Sequence, residues 1–253
     1  MPAPLILITN DDGIDAPGIR ALERSLAPVG RLCTAAPLAE QSATSRRITL
    51  RRPLRYERLG DGRYGIDGTP CDSVMMAVTL LLDERPGLVV SGINSGPNLG
   101  ENVYYSGTVA AAAEGAKYGI PAIAVSVDRR ADIDYGPSAR IAASLAAKVL
   151  ADGLSPGVVL NVNVPAGAIR GVEVTHQCRK ISRNVMVETR DPWRRPYYWM
   201  HEIVPLAAAE KGSDYAAIRD GRLSITPLQF DHTARGEMGR LRRGLAGLDL
   251  GAG

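Results

Sequence analysis

Two adjacent carboxylates, Asp11 and Asp12, follow the first apolar run of the chain and are the residues best suited to chemistry. The run Leu5–Thr9 has the composition of a buried parallel strand, and open α/β sheets bind ligands at the carboxyl ends of such strands. Gly13 permits the turn that would bring both side chains to one site. Two carboxylates held close together share a proton or bind a hard cation, so the sequence predicts a divalent-metal site here.

Later loops carry further oxygen donors that the same sheet edge would gather. Ser42 offers a hydroxyl group, and Asn94 and Asn98 offer amide oxygens. With the two carboxylates they form an all-oxygen set, which suits magnesium, manganese or calcium and disfavours zinc and copper. Each of these residues alone has an ordinary explanation as a turn former or loop hydroxyl. Their placement at successive strand ends is what predicts a joint site.

The segment Ser106-Gly107-Thr108 opens a helical pattern beyond this loop. Free backbone N–H groups and the positive end of the helix dipole favour a phosphate at such a position, although a Ser-Gly-Thr sequence is also a common helix cap. A cation beside a helix start that binds phosphate is an arrangement typical of active sites for phosphoryl transfer or phosphate-ester hydrolysis.

The elements that must position these residues alternate between strand and helix patterns. We expect a mostly parallel sheet with helices on both faces. The predicted strands are Leu5–Thr9, Arg31–Ala36, Gly87–Ser91, Pro121–Val127, Val158–Val164 and Arg222–Pro227, with a hairpin of Ile48–Tyr56 and Tyr64–Ile66. The predicted helices are Pro17–Ala27, Pro70–Leu82 with Thr69 as its cap, Gly107–Tyr118 and Ser138–Leu150. The segment Gly92–Ser106 is predicted to be a long functional loop.

Composition restricts the class of protein. The chain has 253 residues, 45% of them hydrophobic and 23% charged, which is typical of a globular α/β protein. A net charge of +3 does not indicate nucleic-acid binding by a broad basic face. Three widely spaced cysteines disfavour a disulfide scaffold or a zinc site. Neither a signal peptide nor a run of ~20 apolar residues is evident, so we expect a soluble cytoplasmic protein without a membrane partner.

The segment Thr175–Trp199 mixes arginines with tryptophan and tyrosine and has weak periodicity. Two interpretations remain open, an arm that packs on another subunit and a stacking surface for nucleic acid. The near-balanced charge favours the subunit arm. We therefore predict three regions, a core over residues 1–165, an oligomerisation arm with closing strands over 166–233, and a surface or frayed tail over 234–253.

Several longer segments together resemble the SurE family of survival proteins. They occur in the family's order between about Leu5 and Thr233. The matching segments are Thr9–Gly18, Gly68–Asp72, Val90–Gly100, Tyr105–Ala112, Leu160–Pro165 and Ile225–Leu228.

The resemblance implies a metal-dependent phosphatase that acts on nucleoside 5′- and 3′-monophosphates and sometimes on short polyphosphate. It implies a Rossmann-like three-layer α/β/α core, an arm exchanged between subunits, and a homodimer or homotetramer. It also implies one Mg²⁺ or Mn²⁺ ion per subunit, which Ca²⁺ can replace in crystals. The residues that bind this ion in the family correspond to Asp11, Asp12, Ser42 and Asn94. The catalytic residues fall on Asp11, Asp12 and Asn94, and the phosphate or substrate site on Asn10, Asn98, Ser106, Gly107 and Thr108.

The chain departs from the family pattern next to Ser42. Leu38 replaces a common aspartate, and Arg46 and Arg47 replace the usual small residues and histidine, so either arginine would reach a substrate phosphate or face water. Cys71 replaces an alanine, which we interpret as a packing change.

Two other functions remain open on the sequence. Asp11 would be a phosphorylated nucleophile in a haloacid-dehalogenase-type enzyme, but that family has Asp-x-Asp at the strand end. A regulatory module that binds nucleotides without hydrolysis would keep the same sheet and phosphate site. The three histidines, His176, His201 and His232, lie outside the predicted site, so none is assigned to catalysis.

Overall fold

The computed structural model describes residues 3–128, 133–179, 183–203 and 209–248. Their strands are β1 Leu5–Thr9, β2 Arg31–Pro37, β3 Tyr56–Gly60, β4 Arg63–Ile66, β5 Leu88–Ser95, β6 Ala122–Val127, β7 Val158–Val164, β8 Val172–Val174, β9 Arg183–Arg190, β10 Pro196–Ile203 and β11 Leu223–Gln229. Their α-helices are α1 Pro17–Leu26, α2 Pro70–Met76, α3 Gly107–Lys117, α4 Gly136–Asp152, α5 Asp214–Arg219 and α6 Arg235–Gly244.

A nine-stranded sheet forms the centre, in the order β3-β4-β2-β1-β5-β6-β7-β11-β8. Strand β1 pairs in parallel with β2 on one side and with β5 on the other. The chain therefore runs outward in opposite directions from β1, and the crevice at this switch point is where open α/β sheets bind ligands. Only two of the described pairings in this sheet are antiparallel, that of β3 with β4 and that of β11 with β7, so the predicted mostly parallel sheet is confirmed.

The sheet is covered on both faces, as the apolar composition of its central strands predicts. Alternate residues of β1 point to opposite sides, so Ile6 and Ile8 pack with α1 and α4, whereas Leu7 packs with α2 and α3. These side chains are buried on both faces of the sheet. Helix α3 is rich in alanine, and Gly115 lies directly against Val89 of β5. The small side chains let α3 approach the sheet closely, and the predicted three-layer architecture is confirmed.

The structure differs from the sequence predictions on the chain leading to β3. Residues 48–55 are irregular, and the hairpin contains only β3 and β4. The backbone N–H and hydroxyl groups of Thr49 donate to the carboxylate of Asp72 at 2.9 and 2.7 Å, and Pro53 has no N–H to donate. The segment therefore bonds to a helix start instead of a strand.

Two further elements also differ from their predictions. Strand β5 continues past Ser91 to Ser95 after a bulge, because β6 still offers partners at its carboxyl end. The predicted loop from Gly92 is therefore strand at first, contains a cis peptide bond between Gly92 and Ile93, and ends in a short 3₁₀ helix, Gly100–Tyr104. Helix α2 ends at Met76 and passes into a π-helical turn, Ala77–Leu81, instead of running as α-helix to Leu82.

The predicted arm is an antiparallel hairpin of β9 and β10 that forms a sheet of its own. We call this hairpin the arm. Its tryptophans, Trp193 and Trp199, are 75% and 59% exposed. Residues 180–182 and 204–208, which belong to the predicted arm region, lie outside the described residues, as do residues 1–2, 129–132 and 249–253 of the predicted core and tail. The described part of the tail forms α6, which has no buried residue.

Gly18 in the first turn of α1 allows the helix to touch the bulged end of β5. A Cβ atom there would lie 2.1 Å from the carbonyl oxygen of Ile93, and neither backbone has room to move without disturbing the sheet. We expect Gly18→Ala to lower the free energy of unfolding by about 2–3 kcal/mol, as overpacking does. Urea unfolding measures this change. Gly236→Ala is the matched control, since Gly236 in α6 has open space around it, and equal stability of the two variants would contradict the packing argument.

Candidate functional site

A tight turn follows β1 and holds both carboxylates at the sheet edge. The side chain of Asn10 makes two bonds to Gly13, since Nδ2 donates to the Gly13 oxygen at 2.8 Å and Oδ1 accepts from the Gly13 N–H at 3.2 Å. Gly13 itself has φ +105°, a conformation that favours glycine. The structure thus places the buried Asn10 side chain inside the turn, and its role in the phosphate or substrate site stays a prediction. Both polar atoms of the Asn10 side chain are used in these two bonds to the Gly13 peptide groups.

Asp11 lies against the start of α3. Its carboxylate accepts from the Thr108 hydroxyl and from the backbone N–H groups of Gly107 and Thr108, and only 3% of the residue is exposed. Burial raises the pKa of Asp11 above its ordinary value, although these hydrogen bonds oppose the rise. The N–H groups predicted to bind phosphate therefore hold Asp11 in this structure, because the end of β1 lies directly below the helix start.

Asp12 is half-buried and faces a cavity at the same edge. Burial, with repulsion from Asp11 and a smaller contribution from Glu40, raises the pKa of Asp12 to about 6, while the Ser95 backbone N–H opposes the rise. No basic side chain is among the causes of the shift at either aspartate. Within the part of the chain that the structure describes, the two aspartates therefore lie together without a basic side chain that lowers the pKa of either.

The cavity has a volume of about 680 Å³ and brings together most of the predicted site residues. The hydroxyl of Ser42 lies on its wall and donates to Glu40 at 2.7 Å. Asn94 uses its amide nitrogen to donate to the Gly96 oxygen at 2.7 Å, which leaves its side-chain oxygen as the atom available to a cation. The predicted residues that line the cavity are Asp11, Asp12, Ser42, Asn94, Asn98 and Ser106.

Asn98 is held by a buried polar network on β6 and β7. Its Nδ2 donates to the Ser126 hydroxyl at 2.8 Å, and its backbone N–H donates to the Asn163 Oδ1 at 2.8 Å. Its backbone oxygen accepts from Asn161 and Asn163. The network makes the loop after β5 rigid, and we interpret Asn98 as a residue that shapes the cavity.

Some lining residues were missed by sequence reasoning. Glu40 lies two residues before Ser42, but no periodicity distinguishes it from a solvated acid. Residues of the arm also reach the cavity, and sequence contains no signal that two strands would fold back to it. The lining residues that the sequence analysis did not assign to the site are Glu40, Ala43, Ser95, Pro97, Asn102, Tyr105, Asn184 and Met200.

The residues that depart from the family pattern lie away from the cavity. The Arg46 guanidinium stacks 4.9 Å from the centre of the Phe230 ring, and Leu38 packs over Gly65. Cys71 is buried, and burial raises the pKa of its thiol to about 12, in agreement with a packing role. Neither arginine is among the lining residues of the cavity.

The donor set fits a hard divalent cation. Two carboxylates, an amide oxygen and a hydroxyl group line the same cavity, and all of these are oxygen ligands of the kind that such a cation prefers. Within the described ranges no three His, Cys, Asp or Glu residues form a metal cluster, so neutral oxygen atoms and water would complete the coordination shell. A cation would also favour the ionised form of both carboxylates, whose pKa values are raised by burial.

Comparison with known proteins agrees with the resemblance seen in the sequence. The family described as survival protein SurE matches residues 6–184. A 5′-nucleotidase SurE from Myxococcus xanthus is 45% identical over 92% of this chain and 90% of its own length. A 5′-nucleotidase SurE 1 from Thermus thermophilus is 45% identical over 91% and 94%, respectively. The crystal structure of a SurE protein from Aquifex aeolicus superposes with a TM-score of 0.87 at 37% identity, covering 95% of this chain and 99% of that one.

The raised pKa of Asp12 predicts a pH dependence of stability in chelator-treated protein. The folded protein holds the Asp12 proton up to about pH 6, whereas the unfolded chain releases it near pH 3.8, so stability falls as the pH rises between these values. Asp12→Asn removes the charge. We expect it to raise the free energy of unfolding at pH 7 by about 1 kcal/mol, a value reduced for the partial exposure of the side chain.

Urea unfolding at pH 4 and pH 7 in the presence of chelator tests this expectation. Asp61→Asn in the exposed hairpin turn is the matched control, and it should leave stability unchanged. A less stable Asp12→Asn protein at pH 7 would show that the carboxylate supports the fold and does not strain it.

Proposed function

This chain belongs to the SurE family of survival proteins, and we propose that it is a divalent-metal-dependent nucleotidase. The proposed reaction is the hydrolysis of nucleoside 5′- and 3′-monophosphates to nucleoside and phosphate, with short polyphosphate as a further substrate. The observation that carries the proposal is the pair Asp11 and Asp12 at the switch point of the sheet, where no basic partner is found among the described residues. The names of the 41–45% identical relatives support nucleotides as substrates.

In this proposal the cation is held by Asp11, Asp12, Ser42 and Asn94. A bound divalent cation supplies Lewis acidity at a phosphoryl oxygen and lowers the pKa of water. Asp11 is fixed by the start of α3 and serves as a rigid ligand. Asp12 faces the cavity with fewer hydrogen bonds, so we assign it the additional role of accepting the proton of the attacking water.

Ser106 is the residue best placed to meet the phosphoryl group. Its oxygen accepts from the Val109 N–H at 3.1 Å, which orients the side chain and leaves its hydroxyl hydrogen to donate into the cavity. Asn98 contributes by holding the loop, since its amide nitrogen is already used. Positioning and electrostatic stabilisation dominate phosphoryl transfer, so a loop held in one place contributes to catalysis by positioning the groups that contact the phosphoryl oxygens.

We also propose a cytoplasmic homodimer or homotetramer in which the arm makes the subunit contact. The arm exposes both tryptophans and apolar residues such as Met186 and Met200, at 66% and 64%, as an interface for a second copy would. No helix of the described ranges is long and apolar enough to cross a bilayer. Light scattering of the purified chain measures the oligomeric state, and a monomer would contradict this proposal.

Phosphate release from nucleotides tests the activity directly. We expect the chain to release phosphate from nucleoside 5′- and 3′-monophosphates with Mg²⁺ or Mn²⁺. We expect a chelator to abolish this activity, because without a bound cation the carboxylates of Asp11 and Asp12 would repel a phosphate group. Nucleotide binding without release under every metal condition would favour the regulatory module. A phosphoprotein trapped by acid quenching would favour the aspartyl-phosphate mechanism at Asp11.

Two variants test the roles of the two aspartates separately: Asp12→Asn tests Asp12, and Gly107→Ala tests Asp11. We expect Asp12→Asn to reduce kcat by about 1,000-fold or more, since it removes a ligand and the proton acceptor. In Gly107→Ala the new Cβ would lie 2.8 Å from Asp11 Oδ2, so the carboxylate must shift. We expect weaker Mn²⁺ binding by calorimetry in that variant.

Gly239→Ala is the control for Gly107→Ala, because it makes the same change in an exposed helix with only a flexible arginine nearby. Full activity of Asp12→Asn, or unchanged Mn²⁺ affinity of Gly107→Ala, would refute the assignments to Asp12 and Asp11, respectively.

A further inference from the structure

Two described segments, one before the arm and one after it, contact each other at the body of the protein. We call the contact between residues 176–178 and residues 212–214 the clasp. The His176 N–H donates to the Gly212 oxygen at 3.1 Å, and the Asp214 N–H donates to the His176 oxygen at 2.9 Å. The Cys178 N–H donates to Asp214 Oδ1 at 3.0 Å. Both connections to the arm are therefore joined at Asp214.

The same side chain reaches the loop that lines the cavity. Asp214 Oδ2 accepts from the Gly100 N–H at 2.9 Å, and the Gly100 oxygen accepts from Gln177 Nε2 at 2.7 Å. Gly100 has φ +50°, and a Cβ there would lie 3.2 Å from the Cys178 oxygen. Both polar groups of Gly100 are thus bound by the clasp.

Gly100 lies between two residues of the site. Asn98 precedes it by two positions, and the 3₁₀ helix that begins at Gly100 leads to Ser106. The arm reaches the other wall of the same cavity through Asn184 and Met200. A displacement of the clasp would therefore move the loop and the arm together.

We infer that Asp214 is a positioning residue that couples the orientation of the arm to the loop that binds the phosphoryl group. The inference rests on the proposed nucleotidase function. Asp214 lies at least 30 residues from every cavity residue except Met200 in the sequence, and it acts through Gly100 and not on the substrate itself. The coupling is carried by one carboxylate, which accepts hydrogen bonds from the Gly100 N–H in the loop and from the Cys178 N–H before the arm.

A role as a simple helix cap does not account for these contacts. Ser213 is the N-cap of α5, since its hydroxyl oxygen accepts from the Ala216 N–H. The carboxylate of Asp214 bonds instead to Gly100 and Cys178, which lie outside α5. It is fully buried, and burying a carboxylate is unfavourable unless several donors compensate it. The three backbone N–H donors, including that of Tyr215, supply this compensation.

The two tryptophans of the chain provide a reporter for the arm. Trp193 and Trp199 both lie in or between its strands, so intrinsic tryptophan fluorescence reports on the arm alone. A ligand such as inorganic phosphate with Mg²⁺ would occupy the cavity without contacting either tryptophan. A change of emission on its addition would therefore report coupling between cavity and arm.

Asp214→Asn tests the inference because it keeps the shape of the side chain and replaces one acceptor oxygen by an NH₂ group that opposes a backbone N–H. We expect kcat to fall about ten- to a hundred-fold through misplacement of the loop, with Mn²⁺ affinity unchanged. We also expect the emission change with phosphate and Mg²⁺ to be lost. Asp220→Asn is the matched control, since Asp220 lies at the other end of α5, is exposed and pairs with Arg219 at 2.8 Å.

Gln177→Ala provides a second variant if Asp214→Asn does not fold, because it removes the other bond to Gly100 from a half-buried position. It should reduce kcat and the emission change in the same direction. A variant that is less stable but keeps both kcat and the emission response would overturn the inference and leave Asp214 a purely structural residue. Wild-type protein without an emission response would overturn it as well. Failure of the wild-type protein to release phosphate counts against the proposed function, whereas the fluorescence experiment remains a separate test of the clasp.

Discussion

The contact between Asp11 and the first turn of α3 is the interaction on which the rest of the site depends. A buried carboxylate needs hydrogen-bond donors, and the free N–H groups of a helix start are donors that point in one direction. The contact fixes the end of β1 to the start of α3, although the two segments are almost a hundred residues apart. Because Asp11 takes these donors, Asp12 is left to face the cavity, where burial and the neighbouring Asp11 raise its pKa.

The surroundings of this contact are rigid on both sides. Arg63 of β4 donates to the Ile14 oxygen at 2.6 Å and to the Glu23 carboxylate at 2.8 Å, so the loop after β1 is bound to the sheet and to α1. On the other side the buried amides of β7 hold Asn98. A site that must hold two like charges gains from such supports, since each of them opposes the movement that would separate the carboxylates.

The carboxyl edge of the sheet is polar where its body is apolar. Thr9, Ser91 and Asn161 occupy one register across β1, β5 and β7 on the face toward α3, and each carries a buried polar atom without a hydrogen-bond partner in the described protein. Polar atoms of this kind lower stability unless ordered water binds them. The strands are thus apolar in the middle of the sheet and polar at their carboxyl ends. The clasp bonds to the loop at this polar edge through Gly100.

The sequence by itself determined most strands of the sheet, most helices and the identity of the acidic pair, because these depend on local signals, whereas strand β8 was not predicted. Apolar runs, the Thr69-Pro70 helix start and the glycine after Asp12 are all readable within about ten residues. Strand and helix boundaries near residues 48–55 and 92–106 were not readable, since distant partners such as Asp72 and β6 decided them. Only the tertiary structure decided that Gly107 and Thr108 hold Asp11, that Asn10 closes its own turn, and that Asp214 joins the arm to Gly100. The physical reason is that a hydrogen-bond donor has no preferred partner in the sequence, and the fold alone sets which acceptor comes within reach.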